Sequence, residues 1–141
     1  MAAGTTRAEL IVLAEEKFAD AALLLAHGRY SNAFYLAGYA VEIGLKACIA
    51  KRIVAEAIPN RKFINSIYTH DLADLVGVAD LKDHLAAQES RSAAFSTNWA
   101  LVKQWDEASR YAMMDAYGAQ TMIDAIGDTN DGVLQWLRRH W

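Results

Sequence analysis

The sequence predicts an all-α fold, an up-and-down helical bundle of four to five main helices with a short helix at the C-terminal end. Three observations carry this expectation. Proline occurs once in 141 residues, at Pro59, while alanine occurs 27 times, and that composition favours helices over strands and turns. Apolar residues recur every three to four positions along successive segments, which is the helical period. No run alternates polar and apolar residues as a half-buried strand would.

The elements follow in order. Thr6-Arg7-Ala8-Glu9 fits a capping box, with threonine at the cap and glutamate three residues on. Behind it Ile11, Ala14, Phe18, Ala21 and Leu25 form one apolar stripe, so a helix should run to about His27 and end at Gly28 in a left-handed cap. A second helix starts at Tyr30 or Ser31 and reaches about Val54, roughly 24 residues and 36 Å. Its core stripe is Phe34, Ala37, Val41, Leu45, Cys48 and Ile49, with Arg52 leaving the core. Pro59-Asn60 opens a loop and a mixed segment to Thr69. Short helices are expected over His70–Val78 and Leu81–Ser90. Ala93–Trp105 should be helical with Phe95, Trp99, Val102 and Trp105 on one side. Asp106–Asp115 reads as a connector, Ala119–Ile126 as a helix, Gly127–Gly132 as a turn and Val133–His140 as the last helix. No linker or repeat divides the chain, so one domain over 1–141 is expected.

Composition excludes several function classes. A hydrophobic share of 54% with 22% charged residues is not that of a disordered chain. A net charge of −3 argues against a generally basic nucleic-acid binder but leaves room for a local basic patch. Cys48 is the one cysteine, so no intrachain disulfide can form, consistent with a reducing compartment. The charge-free run Tyr30–Val41 is shorter than the ~20 residues of a membrane span. Arg7, Glu9, Glu15 and Glu16 interrupt the N-terminal apolar run, unlike a signal peptide. A cytoplasmic protein with no membrane association is the expectation.

Few motifs carry chemistry. The glycines are scattered and form no phosphate loop. His27, His70, His84 and His140 have no companions at metal-ligand spacing, so neither a metal nor a cofactor is expected. Cys48 sits on an apolar stripe and reads as a small buried hydrophobe. Tyr35, Tyr39, Glu42 and Lys46 step by four, three and four, so they share a face beside the core stripe. They read either as a solvated face or as a dimer interface or ligand groove, since tyrosine supplies area and a polar tip. A further cluster gathers Asn98-Trp99, Trp105 and Ser109-Arg110-Tyr111. Arg110 could hold a phosphate while Tyr111 or Trp99 stacks a base. The same residues could equally be core aromatics around a buried arginine. Arg138-Arg139-His140 complements a helix C-terminus.

The segment His27-Gly28-Arg29-Tyr30-Ser31-Asn32-Ala33-Phe34-Tyr35, continuing through Glu42-Ile43-Gly44-Leu45-Lys46-Ala47, resembles the central signature of HEPN domains. Thr69-His70-Asp71-Leu72 with Leu75 resembles the family's histidine–leucine motif. Ser109-Arg110-Tyr111 resembles its arginine–tyrosine step, and Gly132-Val133-Leu134 with Trp136-Leu137 resembles its close. The likeness runs from about residue 10 onward. It implies a HEPN-like helical bundle, commonly a homodimer, that binds nucleotide or RNA. Many members pair with a minimal nucleotidyltransferase, some as toxin–antitoxin pairs. Catalytic members are metal-independent ribonucleases with an arginine followed by histidine after four to six residues. From Arg110 those positions hold Asp115, Ala116 and Tyr117, and no other arginine has a histidine at that spacing. The expectation is therefore a non-catalytic binding module without catalytic residues. An RNase toxin in which Asp115 or Tyr117 replaces the histidine, and an interaction module without ligand, are the alternatives.

Overall fold

In the computed structural model, residues 4–141 are described. Helix α1 spans Arg7–Ala26 and α2 spans Tyr30–Ala50. They are followed by α3 (Arg61–Ile67), α4 (Leu72–Val78), α5 (Lys82–Arg91) and α6 (Ala93–Val102). A 3₁₀ helix over Glu107–Tyr111 then leads into α7 (Ala116–Gly127) and α8 (Val133–Leu137). Among the described residues no strand occurs. The fold is the all-α bundle expected, with five helices of ten or more residues and a short one near the C-terminus.

Local chemistry sets the helix ends. Thr6 Oγ1 accepts from the Glu9 backbone N–H, and the Glu9 carboxylate accepts from the Thr6 N–H, which completes the capping box. Gly28 adopts φ 73° after α1, a left-handed turn that glycine takes without steric cost. The short connection that follows makes α1 and α2 neighbours, as in a helical hairpin.

Helix α2 is the centre of the molecule. Ala37, Val41, Leu45, Cys48 and Ile49 are buried along its expected stripe, and Ala33, Ala40, Ile43 and Ala47 are buried beside it. Fully burying a leucine or isoleucine is worth about 1.5–3 kcal/mol, so Leu45 and Ile49 alone anchor the helix firmly. Its 21 residues are apolar enough to pass for a membrane span by length and composition, yet 67% of the relevant window is packed inside the bundle, as in a core helix. It ends at Ala50, earlier than Val54. Just past its end, Lys51 Nζ donates to the His140 carbonyl at 3.0 Å, and Arg52 donates to the Val78 carbonyl. The Arg52 guanidinium also lies 5.2 Å over the Phe63 ring. The backbone closes with turn bonds from the Arg52 N–H to the Ile49 carbonyl and from the Ile53 N–H to the Ala50 carbonyl, and Glu56 then takes φ 65°.

Other boundaries differ in the same local way. The mixed segment after Pro59 is a helix, because Asn60 caps it by accepting from the Lys62 and Phe63 N–H groups. Helix α6 stops at Val102 rather than at Trp105. The connector Asp106–Asp115 contains the 3₁₀ helix, begun by Asp106 accepting from the Ala108 N–H. Asp115 starts α7 at Ala116 by accepting from the Gly118 N–H at 2.7 Å. Arg138 closes the bundle across the chain ends with two bonds of 2.8 Å to the Glu15 carboxylate.

Candidate functional site

The face of α2 that carries Tyr35, Tyr39, Glu42 and Lys46 is met by two segments far away in sequence. Trp105, just past α6, lays its ring over Gly38, where a Cβ would come within 2.2 Å of the indole. Only glycine admits so close an approach. The indole stacks on Tyr35 with ring centroids 5.9 Å apart and meets Tyr39 edge-on at 6.4 Å. Tyr35 and Tyr39 themselves lie 5.8 Å apart. The aromatic half of the stripe is thus half-buried against the chain's own Trp105. The Trp105 Nε1 is buried and has no hydrogen-bond partner among the described residues.

The polar half turns inward. Glu42 is 1% exposed and is not part of an open contact face. Its Oε1 lies 2.8 Å from His70 Nδ1 and its Oε2 lies 3.4 Å from Lys46 Nζ. The other nitrogen of the same imidazole, Nε2, lies 3.1 Å from the Glu107 carboxylate on the 3₁₀ helix. Burial, then the nearby Glu42 charge and then Tyr35 push the Tyr39 hydroxyl above the usual tyrosine range. Each imidazole nitrogen faces a different carboxylate, so these groups do not converge on one point. No group of three metal-ligating side chains does so among the described residues.

The same 3₁₀ helix presents Arg110 and Tyr111. Arg110 is exposed, and its guanidinium lies 4.9 Å over the Tyr111 ring. Among the described residues it has neither a carboxylate nor a hydrogen-bond partner, so it is not a buried organiser. Tyr111 is 79% exposed. Trp99, grouped with them from the sequence, is 3% exposed in the core, and its ring faces are closed to a base. Met114, three residues after Tyr111 in the chain, and the α1–α2 turn enclose a depression of about 280 Å³ lined by Gly28, Arg29, Tyr30, Ser31 and Asn32. Ser31 Oγ accepts from the Met114 N–H at 2.9 Å and fixes its rim.

His70, Glu107 and Trp105 are the site residues that the α2 spacing did not reveal. His70 carried a signal in its histidine–leucine motif, but nothing local tied it to Glu42. Cys48 is buried, and desolvation pushes its thiol up to about 11, which suits a packing role.

The family model for the HEPN domain matches residues 8–140. The chain belongs to the HEPN domain family. No curated protein and no solved structure matches it significantly. HEPN membership points to a nucleotide- or RNA-related function, a range that includes ribonuclease toxins. In this HEPN domain the positions five to seven residues after Arg110 are a helix cap, Asp115, then Ala116 and the exposed Tyr117. None of them is histidine, the side chain that best exchanges a proton near neutral pH.

Proposed function

We propose that this chain is a non-catalytic HEPN module that binds nucleotide or RNA, acts as a homodimer, and works with a minimal nucleotidyltransferase partner. The observation that carries the binding reading is Arg110: an exposed guanidinium without any partner among the described residues, held over the exposed Tyr111 ring. The fold makes no use of either group. A guanidinium can meet two phosphate oxygens at once, and an open aromatic face can stack a base. Arg29 is a further exposed cation, at the rim of the depression that Met114 closes.

The dimer reading rests on uncovered apolar surface. Met113 and Tyr117, beyond the Arg110–Tyr111 pair, are 95% and 79% exposed within five residues. A two-fold contact through this segment covers them and brings two Arg110 clusters together. A stable dimer of this kind buries at least about 1,200 Å² in total. The nucleotidyltransferase partner rests on family membership alone, and finding a reading frame of that type beside this gene is the check on it.

Native mass spectrometry of the purified chain tests the reading, since it reports subunit number and any retained nucleotide together. The expected result is a dimer that takes up added nucleotide or short RNA, with no RNA cleavage above background. A monomer that retains and takes up neither leaves an interaction module without ligand. Robust cleavage abolished by Arg110→Ala establishes the ribonuclease instead.

A further inference from the structure

The arrangement of Glu42, His70 and Glu107 asks more of one imidazole than a neutral ring can supply. Neutral histidine carries one N–H and one lone pair, whereas the imidazolium carries two N–H donors. Here both nitrogens face carboxylate oxygens, Nδ1 at 2.8 Å from Glu42 and Nε2 at 3.1 Å from Glu107. With both carboxylates ionised, both contacts are attractive only when the ring is protonated. In the neutral ring one lone pair must face a carboxylate.

Burial decides which contact survives proton loss. Glu42 is 1% exposed, and an unsatisfied buried acceptor is the costlier one to leave. The Glu107 side chain is 45% exposed and that of His70 40%, so water readily solvates the outer pair. The neutral ring therefore keeps its N–H on Glu42 and releases Glu107. Glu107 opens the 3₁₀ helix, and Arg110 lies three residues on. Residues i and i+3 eclipse in this helix, about 6 Å apart along its axis, so Glu107 and Arg110 share one edge. Among the described residues the other side-chain hydrogen bond from this connector to the bundle is Ser31 accepting from the Met114 N–H, on the far side of Arg110, where the Met114 side chain also packs on the core.

We propose that His70 is a positioning residue that holds the Arg110–Tyr111 segment in its binding geometry only while protonated, so that ligand affinity falls as the pH rises through the histidine range. The inference rests on the nucleotide- or RNA-binding reading above. Glu42 and Glu107 favour the imidazolium; Lys46 from α2 and Arg110 from the 3₁₀ helix oppose it. Asp71 beside it caps α4 by accepting from the Asp74 N–H, and Tyr39 stays neutral. Proton loss also leaves the Glu107 charge uncompensated near an incoming phosphate, which acts in the same direction.

Two measurements on the intact chain test this at about pH 6 and about pH 8.5, either side of the ordinary histidine pKa of about 6.5. The first is amide hydrogen-exchange protection of residues 107–112 without ligand, referred to the core amides of α2. The second is the affinity for a fluorescently labelled single-stranded RNA. In the parent chain both should fall about two- to fivefold from the lower to the higher pH, the scale of a partly exposed ion pair. His70→Gln and Glu107→Gln should each abolish that pH dependence; the Glu107 exchange is on the surface and leaves the core intact. Protection that does not change with pH in the parent, or a change that survives both substitutions, overturns the proposal. If the parent binds no RNA at either pH, the binding reading falls, and the exchange measurement alone decides the role of His70.

Discussion

Replacing Gly38 with alanine sets two effects of opposite sign against each other. In a helix interior this exchange ordinarily stabilises by about 0.5–1 kcal/mol, because glycine loses the most backbone freedom on folding. At position 38, however, the new Cβ would stand 2.2 Å from Trp105 Cδ1 and 2.3 Å from Cγ and Nε1. Ordinary contact begins near 3.4 Å, so the indole must retreat by about 1 Å. It has little room, being stacked on Tyr35, edge-on to Tyr39 and almost wholly buried. Forcing an extra methyl into such packing costs about 1–3 kcal/mol. The clash outweighs the helix gain, leaving a net loss of up to about 2.5 kcal/mol, or a Tm lower by up to roughly 10 °C for a chain of this size. Thermal unfolding followed by far-ultraviolet circular dichroism reads the shift, and the near-ultraviolet signal reports the displaced tryptophan. Gly44→Ala is the matched control. Its Cβ would meet only the ends of Leu137 and Trp141, at 3.1 and 3.2 Å, so the helix gain and a small adjustment roughly cancel. A Tm raised by Gly38→Ala would refute the packing of Trp105 on α2.

Three further outcomes follow from other parts of the structure. Cys48 is buried with its thiol pushed up to about 11, so a thiol reagent at about pH 8 should label it only after denaturation; rapid labelling of the folded chain would contradict its placement. Burial first, and then His84, Lys51 and Arg139, hold the His140 imidazole below the usual histidine range. The folded state therefore takes up that proton less readily than the unfolded chain. Its contribution to stability is present above the ordinary histidine pKa, about 6.5, and drains as the pH falls through the lowered value. The Tm should drop on acidification, and His140→Gln should drop less; an equal drop refutes the assignment. Arg138→Ala removes the pair with Glu15, whose carboxyl that guanidinium holds below the usual range. Both side chains are over two-fifths exposed, so the loss at neutral pH should stay within about 1 kcal/mol and shrink in high salt. The carboxylate's contribution exists above its unfolded pKa and disappears as the pH falls through the lowered one. The deficit of the variant, read by urea unfolding, should therefore vanish in acid.

How much of this was legible in the residues depended on whether the deciding contact was local. The α1 cap was readable because Thr6 and Glu9 satisfy each other within one turn. The α2 face was readable because helical spacing alone aligns Tyr35, Tyr39, Glu42 and Lys46. What covers that face was not, since His70 lies 28 residues and Trp105 more than 60 residues from Glu42, and periodicity carries no information about tertiary neighbours. The end of α2 was not, because it closes through backbone turn bonds at Arg52 and Ile53 with no capping residue to mark it. The α3 helix could have been anticipated from asparagine as a cap after Pro59. Trp99 was separable from Tyr111 in principle: it shares the α6 stripe with Phe95 and Val102, whereas Tyr111 lies beyond that helix. The exposure of Arg110 left no trace in sequence, because the same arginine and aromatics serve a core or a ligand equally well.

The most direct measurement is the affinity of Arg110→Lys for a labelled single-stranded RNA, taken together with its Tm. Lysine keeps the charge but cannot make the paired contact to two phosphate oxygens. An exposed side chain without a partner carries almost no folding energy, and substitutions of that kind usually stay within about 0.5 kcal/mol. The account predicts RNA affinity lower by about tenfold, a difference of about 1.4 kcal/mol, with a Tm within about 2 °C of the parent. A Tm that falls while affinity stays the same, or a parent chain with no affinity for RNA or nucleotide, would contradict the claim that Arg110 and Tyr111 are held for a ligand.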